Sequence, residues 1–123
     1  MLRTRVLVAE DDPLMRVRIY RLLQTEFEVV EVVGDGQSLV EAAFRLLPDV
    51  IVTDISMPKM SGIEAVRAIR RTLPDMTFIF LTTHDGRAYR RQARNVGAAG
   101  YVLKSVAREE LRQVIHHALE GAS

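Results

Sequence analysis

The chain contains no cysteine. That excludes disulfides, thiolate nucleophiles and cysteine-ligated zinc, and it fits a reducing compartment. Charge of either sign is not in excess: 17 Lys and Arg stand against 16 Asp and Glu, a formal net charge of +1. Bulk charge therefore gives no reason to expect a nucleic acid or a membrane surface as partner. No apolar run approaches the roughly 20 residues of a membrane-spanning helix. No stretch is of low complexity, and Met1-Leu2-Arg3-Thr4-Arg5 leads straight into an apolar run without the layout of a signal peptide. A cytoplasmic location is the expectation. A Walker loop is also missing, which argues against an NTPase. What is left fits one domain, 1–123. Its 123 residues are 48% hydrophobic, enough for a single core at a size where roughly two-thirds of the surface is buried on folding.

Short apolar runs alternate with helical patterns. The strand candidates are Arg5–Ala9, 27–33, Val50–Thr53, 77–81 and Gly100–Leu103. Four of them are nearly continuous Val, Ile, Leu and Phe, as in strands buried on both faces of a parallel sheet. The run 27–33 carries Glu28 and Glu31, which suggests an edge strand. Between the strands the spacing predicts helices. The first opens at Asp12-Pro13, with Met15, Ile19, Leu22 and Leu23 inward. The second buries Leu39, Ala43, Leu46 and Leu47 and stops before Pro48. The third follows Ser61-Gly62 with Val66, Ile69 and Leu73 and stops at Pro74. The fourth, 87–96, has few apolar residues and gathers Arg87, Arg90, Arg91 and Arg94 on one side. That side reads either as a solvated face or as a partner surface. The last helix places Leu111, Val114, Ile115, Ala118 and Leu119 at helical spacing, with Glu109 and Glu110 near its start and Gly121 as a stop.

Alternating β and α units imply an α/β fold, a parallel sheet with helices on both faces. In such sheets the chemistry sits at the carboxyl ends of the strands. Those ends carry a telling set: Glu10-Asp11 after the first run, Asp54 after the third, Thr82 after the fourth and Lys104 after the fifth. Converging carboxylates repel each other, and a divalent cation removes the conflict. All-oxygen ligands suit Mg²⁺ or Mn²⁺. Asp12, beside Pro13, reads instead as a helix cap. A carboxylate can act as a nucleophile toward phosphorus, with nearby cations and donors neutralising the developing charge. Singly, Thr82 and Lys104 would read as a strand-end residue and a surface cation. Their combination at successive strand ends is what is specific.

The chain resembles a receiver domain of a two-component response regulator over about 4–121. The pieces that carry the resemblance are Val6-Leu7-Val8-Ala9-Glu10-Asp11-Asp12-Pro13, Pro48-Asp49-Val50-Ile51-Val52-Thr53-Asp54-Ile55-Ser56-Met57-Pro58, Leu81-Thr82-Thr83 and Gly97-Ala98-Ala99-Gly100-Tyr101-Val102-Leu103-Lys104. The resemblance implies a flavodoxin-like (βα)5 doubly wound parallel sheet of strand order 2-1-3-4-5. That order belongs to folds of this kind and is not an independent deduction. It implies that Asp54 is the phosphoacceptor, that Asp11 binds Mg²⁺ directly and Glu10 through water, and that the backbone carbonyl of Ser56 completes the protein ligands. Thr82 and Lys104 would contact the phosphoryl group, and Tyr101 would be the switch aromatic. Phosphorylation would then bias the surface made by the fourth helix, last strand and last helix. Ser56 and His84, each two residues past Asp54 and Thr82, would set the lifetime of the acyl phosphate. Implied partners are a sensor histidine kinase or phosphotransfer protein, and a second copy of the chain on phosphorylation. The phrasing at 97–104 and Lys104-Ser105 looks most like receivers joined to helix-turn-helix DNA-binding domains, so DNA would be reached only through a C-terminal effector outside this chain.

Three details depart from the pattern. The acidic pair is Glu-Asp where Asp-Asp is commoner, which keeps the charge. Ser105 follows Lys104 where proline is frequent, so a cis peptide there is not expected: a non-proline cis bond costs about 2.5–4 kcal/mol. Ser56 stands where an aspartyl-nucleophile phosphatase, the rival enzyme reading, usually places a second aspartate as general acid. A third reading, a receiver that only binds, sits badly with the complete set of acids, Thr82 and Lys104. Gly34-Asp35-Gly36 lacks a third glycine and follows the second strand, so it reads as a loop. His116 and His117 are adjacent on a helix, point in different directions and read as surface residues.

Overall fold

In the computed structural model, residues 3–121 are described, and strands and helices alternate along them. The order is β1 (Arg5–Ala9), α1 (Pro13–Leu23), β2 (Glu28–Val33), α2 (Gly36–Leu46), β3 (Val50–Thr53), α3 (Gly62–Thr72), β4 (Thr77–Thr82), α4 (Arg87–Asn95), β5 (Gly100–Leu103), a 3-10 turn (Lys104–Val106) and α5 (Ala107–Gly121). The sheet is parallel throughout, in order β2-β1-β3-β4-β5. The expected edge strand is at an edge, and Glu28 there faces solvent.

Strand alternation divides the core in two. Val6, Val8, Val50, Val52, Ile79, Leu81 and Val102 point to one face and pack on Ile19 and Leu23 of α1 and Leu111 and Ile115 of α5. Leu7, Ala9, Ile51, Phe78 and Phe80 point to the other and meet Leu39 of α2, Val66 and Ile69 of α3 and Ala93 of α4. A strand covered on both sides has no polar face, which is why these runs are continuously apolar.

The first three helices begin where the sequence supplies a cap. Asp12 accepts from the Leu14 N–H, with Pro13 in the first turn of α1. Asp35 accepts from the Ser38 N–H and starts α2, so Gly34-Asp35-Gly36 is a helix entry and Gly36 already helical. Ser61 and Glu64 form a reciprocal capping box at α3. α4 is the exception: Gly86 offers no side-chain cap, and Ala93 is its one buried residue.

Four expectations need correction. Phe27 is not in β2; it precedes the strand, fully buried, with its ring 5.1 Å from that of His116. Leu47 does not join the buried stripe of α2. Helical geometry is disfavoured before Pro48, so Leu47 ends the helix at φ 46° and is 57% exposed. β4 runs one residue further than expected, through Thr82, whereas α4 ends one residue earlier, with Val96 as its C-cap. Gly121 lies within α5 as the last described residue. No cis peptide bond occurs among the described residues, the Lys104–Ser105 bond included.

Candidate functional site

The register of the sheet brings the acids together. Ala9 pairs with Thr53, so the next residues, Glu10 and Asp54, leave neighbouring strands side by side. The Asp54 N–H donates to the Ala9 carbonyl at 3.0 Å, and the Glu10 N–H to that of Val33 at 2.9 Å. β1 lies between β2 and β3, so this is the switch point where successive units turn to opposite sides of the sheet. Gly62 fixes the far side of Asp54. Its N–H donates to the Ile55 carbonyl at 2.7 Å, and a Cβ on Gly62 would collide with the Asp54 carbonyl oxygen. The first turn of α3 thus presses directly on the backbone that carries Asp54.

Lys104 closes the cluster. Its Nζ is 2.7 Å from Asp54 Oδ2 and 2.7 Å from Glu10 Oε1. Asp54 Oδ1 accepts from the Ile55 N–H at 2.7 Å, and Glu10 Oε2 from the Asp12 N–H at 3.0 Å. Glu10 and Asp54 are buried, at 1% and 6% exposure, whereas Asp11 is exposed. Burial pushes the Glu10 carboxyl above its usual range against the pull of Lys104 and the Asp12 N–H, and the charge on Asp54 adds to the rise. Burial alone would push the Lys104 ammonium down. Hydrogen bonds and charge from Asp54 and Glu10 outweigh it and hold Lys104 above its ordinary value.

These residues fit a divalent cation. Glu10, Asp11 and Asp54 each offer a carboxylate oxygen, and the three atoms lie within 4.8 Å of one another. Three carboxylates against one ammonium leave two negative charges uncompensated, and the donors are all oxygen, the preference of Mg²⁺ and Mn²⁺.

Across β4 the other expected residues converge on a single one, His84. Its N–H donates to Thr82 Oγ1 at 3.1 Å, and its carbonyl accepts from the Tyr101 hydroxyl at 2.6 Å. Its Nε2 is hydrogen-bonded to Ser56 Oγ at 2.9 Å. Thr82 is fully buried, Tyr101 half-buried, and Ser56 exposed. Burial pushes the Tyr101 phenol up. Its ring lies under the Arg90 guanidinium at 4.5 Å, and Arg90 also forms a 2.7 Å ion pair with Asp85. The arginine side of α4 is therefore divided: Arg90 is engaged, and Arg87, Arg91 and Arg94 face solvent. His116 and His117 are exposed, and His116 is 2.6 Å from Glu26.

Two contributors escape sequence reasoning. Arg16 donates to the Glu10 carbonyl at 3.0 Å and props the turn between β1 and α1. Tyr89 of α4 stacks on the His84 imidazole, centroids 4.1 Å apart and planes 14° from parallel. A signal for Tyr89 exists, an aromatic three residues past the glycine that opens α4. Arg16 has none.

Residues 6–116 match the family model for the response regulator receiver domain. The chain belongs to that family. Among curated proteins, this receiver is 38% identical over 121 residues to the uncharacterized transcriptional regulatory protein YxjL of Bacillus subtilis, covering 97% of the receiver and 56% of that protein. It is 33% identical over 123 residues to the transcriptional regulatory protein DegU of Brevibacillus brevis, covering 98% and 52%. The receiver spans about half the length of these relatives. Among solved structures, the signal receiver domain of the response regulator NarL from Mycobacterium tuberculosis matches with a TM-score of 0.92 at 32% identity, covering 98% of this receiver and 99% of that chain.

Proposed function

We propose that this receiver takes a phosphoryl group onto Asp54 from the phosphohistidine of a sensor kinase or phosphotransfer protein. The observation that carries the reading is the position of Asp54. It is a buried carboxylate at the switch point, held by Lys104 on one oxygen and the Ile55 N–H on the other, beside two more acids. An Asp54 oxygen forms the bond to phosphorus, the P–N bond breaks, and the histidine nitrogen leaves with the electron pair and takes up a proton. Lys104 then faces the new phosphoryl oxygens as a point charge, and Thr82 exchanges its bond with the His84 N–H for one to the phosphoryl group. Glu10, Asp11, Asp54 and the Ser56 carbonyl would hold Mg²⁺, which supplies further neutralisation of phosphoryl charge. The receiver catalyses its own modification and turns over no external substrate.

The readout runs through the β4–α4 loop. When Thr82 releases the His84 N–H, the same residue's carbonyl, to which Tyr101 is bonded, is freed to shift. The α4–β5–α5 surface changes with it. That surface then meets a second copy of the receiver or an output domain, with DNA-binding transcription regulation as the output and DNA contacted only through that domain. The curated transcriptional regulators, about twice the receiver's length, support this output. The site of action is the cytoplasm; no helix among the described residues is long and apolar enough to cross a membrane. Ser56 and His84 set the phosphoryl lifetime, and exchanging both should change it.

Incubation with Mg²⁺ and a small phosphodonor, followed by intact mass, tests the reading. One phosphate adduct is expected, and Asp54→Asn should abolish it. No adduct, or one that survives the substitution, contradicts it. Sustained hydrolysis of many phosphoesters would instead favour a phosphatase.

A further inference from the structure

His84 is where two loops and α4 meet. Its imidazole reaches Ser56 Oγ, 2.9 Å away, and so ties the loop after β4 to the loop after β3, two residues past Asp54. The same ring stacks on Tyr89 of α4 at 4.1 Å. Its main chain is held on both sides, by Thr82 and by Tyr101. A ring fixed at one end by a hydrogen bond and across its face by an aromatic plane cannot follow one partner without disturbing the other. The helix on the far side of that ring is weakly anchored: α4 has no side-chain cap and one buried residue. Displacement of α4 therefore costs little, and it carries Tyr89 with it.

We propose that Tyr89 is a positioning residue for the Asp54 phosphoryl group. It acts through His84 and Ser56, so the placement of α4 governs how readily water reaches the acyl phosphate, and a partner that pins α4 in place lengthens the phosphoryl lifetime. The step controlled is hydrolysis. A water oxygen bonds to phosphorus, the bond from phosphorus to the Asp54 oxygen breaks, and the aspartate leaves as carboxylate. Inorganic phosphate and a proton are released. With the stack intact, the Ser56–His84 bond keeps the two loops closed beside Asp54. With the stack lost, His84 swings more freely and the loops part. The inference rests on Asp54 being the phosphoacceptor, and it differs from the Thr82–Tyr101 route in the part of His84 it uses: Ser56 and Tyr89 engage the imidazole, whereas Thr82 and Tyr101 engage the main chain.

The test loads wild type, Tyr89→Ala, Tyr89→Leu, Tyr89→Phe, His84→Ala and the Tyr89→Ala/His84→Ala double variant with a small phosphodonor and Mg²⁺. The donor is removed and the adduct is followed by intact mass, with thermal melting as the check on folding. Tyr89→Ala should shorten the lifetime about two- to tenfold, the range an aromatic stack can bias. Tyr89→Leu, which keeps apolar packing but loses the ring, should do the same, and Tyr89→Phe should restore the wild-type lifetime. In the His84→Ala background, Tyr89→Ala should add nothing. An unchanged lifetime in the folded Leu variant, or effects of the two alanine changes that multiply, would overturn the proposal. A wild type that forms an adduct while its Tyr89 variants decay normally removes only this inference. A wild type without any adduct removes the Asp54 reading as well.

Discussion

α3 and α4 are two helices on the same side of one sheet, built by opposite rules. α3 has a reciprocal capping box, an acid in its first turn, Arg70 and Arg71 in its last, and five buried residues. Every local term favours it. α4 opens on an uncapped glycine, puts Arg87 at the helix end where a cation is unfavourable, and spaces arginines three and four apart so that they repel. It keeps a single buried residue, Ala93. α3 is the anchor, because its Gly62 presses on the backbone of Asp54. α4 is the element that moves cheaply, and it holds the aromatic and arginine contacts to His84 and Tyr101. The proposed function, a nucleophile held still while its state is reported, calls for one of each.

The contrast can be broken hardest at the ion cluster on the anchored side. Lys104→Met leaves Glu10 and Asp54 buried without their shared cation. Stability should fall by about 3 kcal/mol in denaturant titration, and phosphorylation should be largely lost. The same variant tests the pH dependence. Lys104 is raised above its ordinary value of 10.5 in the fold. Its contribution is therefore complete below 10.5 and is lost as pH climbs through the higher folded value. Wild type should show that alkaline step in stability, and Lys104→Met should lack it.

Gly62→Ala comes next. Its added Cβ meets the Asp54 carbonyl oxygen, which lies on strand-edge backbone that cannot swing aside. A loss of about 2 kcal/mol is expected, with slower phosphorylation by intact mass. Ser61→Ala removes half of the α3 capping box and should cost about 1 kcal/mol in thermal or chemical unfolding. The smallest effect reverses sign. Arg87→Glu, at the start of α4, should stabilise by about 0.5 kcal/mol through the helix dipole and an attractive pairing with Arg91. If Arg87→Glu destabilises as much as Ser61→Ala does, α3 and α4 are not the opposites described.

Much of this was legible in the residues. Continuous apolar runs marked the buried strands, and the acids, Thr82 and Lys104 marked strand ends because strand ends are where those runs stop. What was not legible depends on placement across the sheet. Leu47 continues the period of α2 perfectly, and only the conformational constraint before Pro48 turns it outward. Phe27 looks like strand but packs beneath α5. The single ammonium of Lys104 serving both Glu10 and Asp54 needs the strand register to be known. Ser56, Thr82, His84 and Tyr101 were each visible as candidates. Their meeting on one residue was not, because it joins three segments through the main chain and the imidazole of His84. The arginines of α4 showed their charge in the sequence but not their division, with Arg90 engaged by Asp85 and Tyr101 and the rest in solvent.

Hydrogen exchange read segment by segment, with and without a small phosphodonor and Mg²⁺, tests the division of labour most directly. On formation of the Asp54 adduct, exchange should change in 83–95, the β4–α4 loop with α4, while 62–72 of α3 stays as it was. Asp54→Asn should abolish the change. An adduct on Asp54 that leaves 83–95 untouched, or that alters α3 as much as α4, would contradict it.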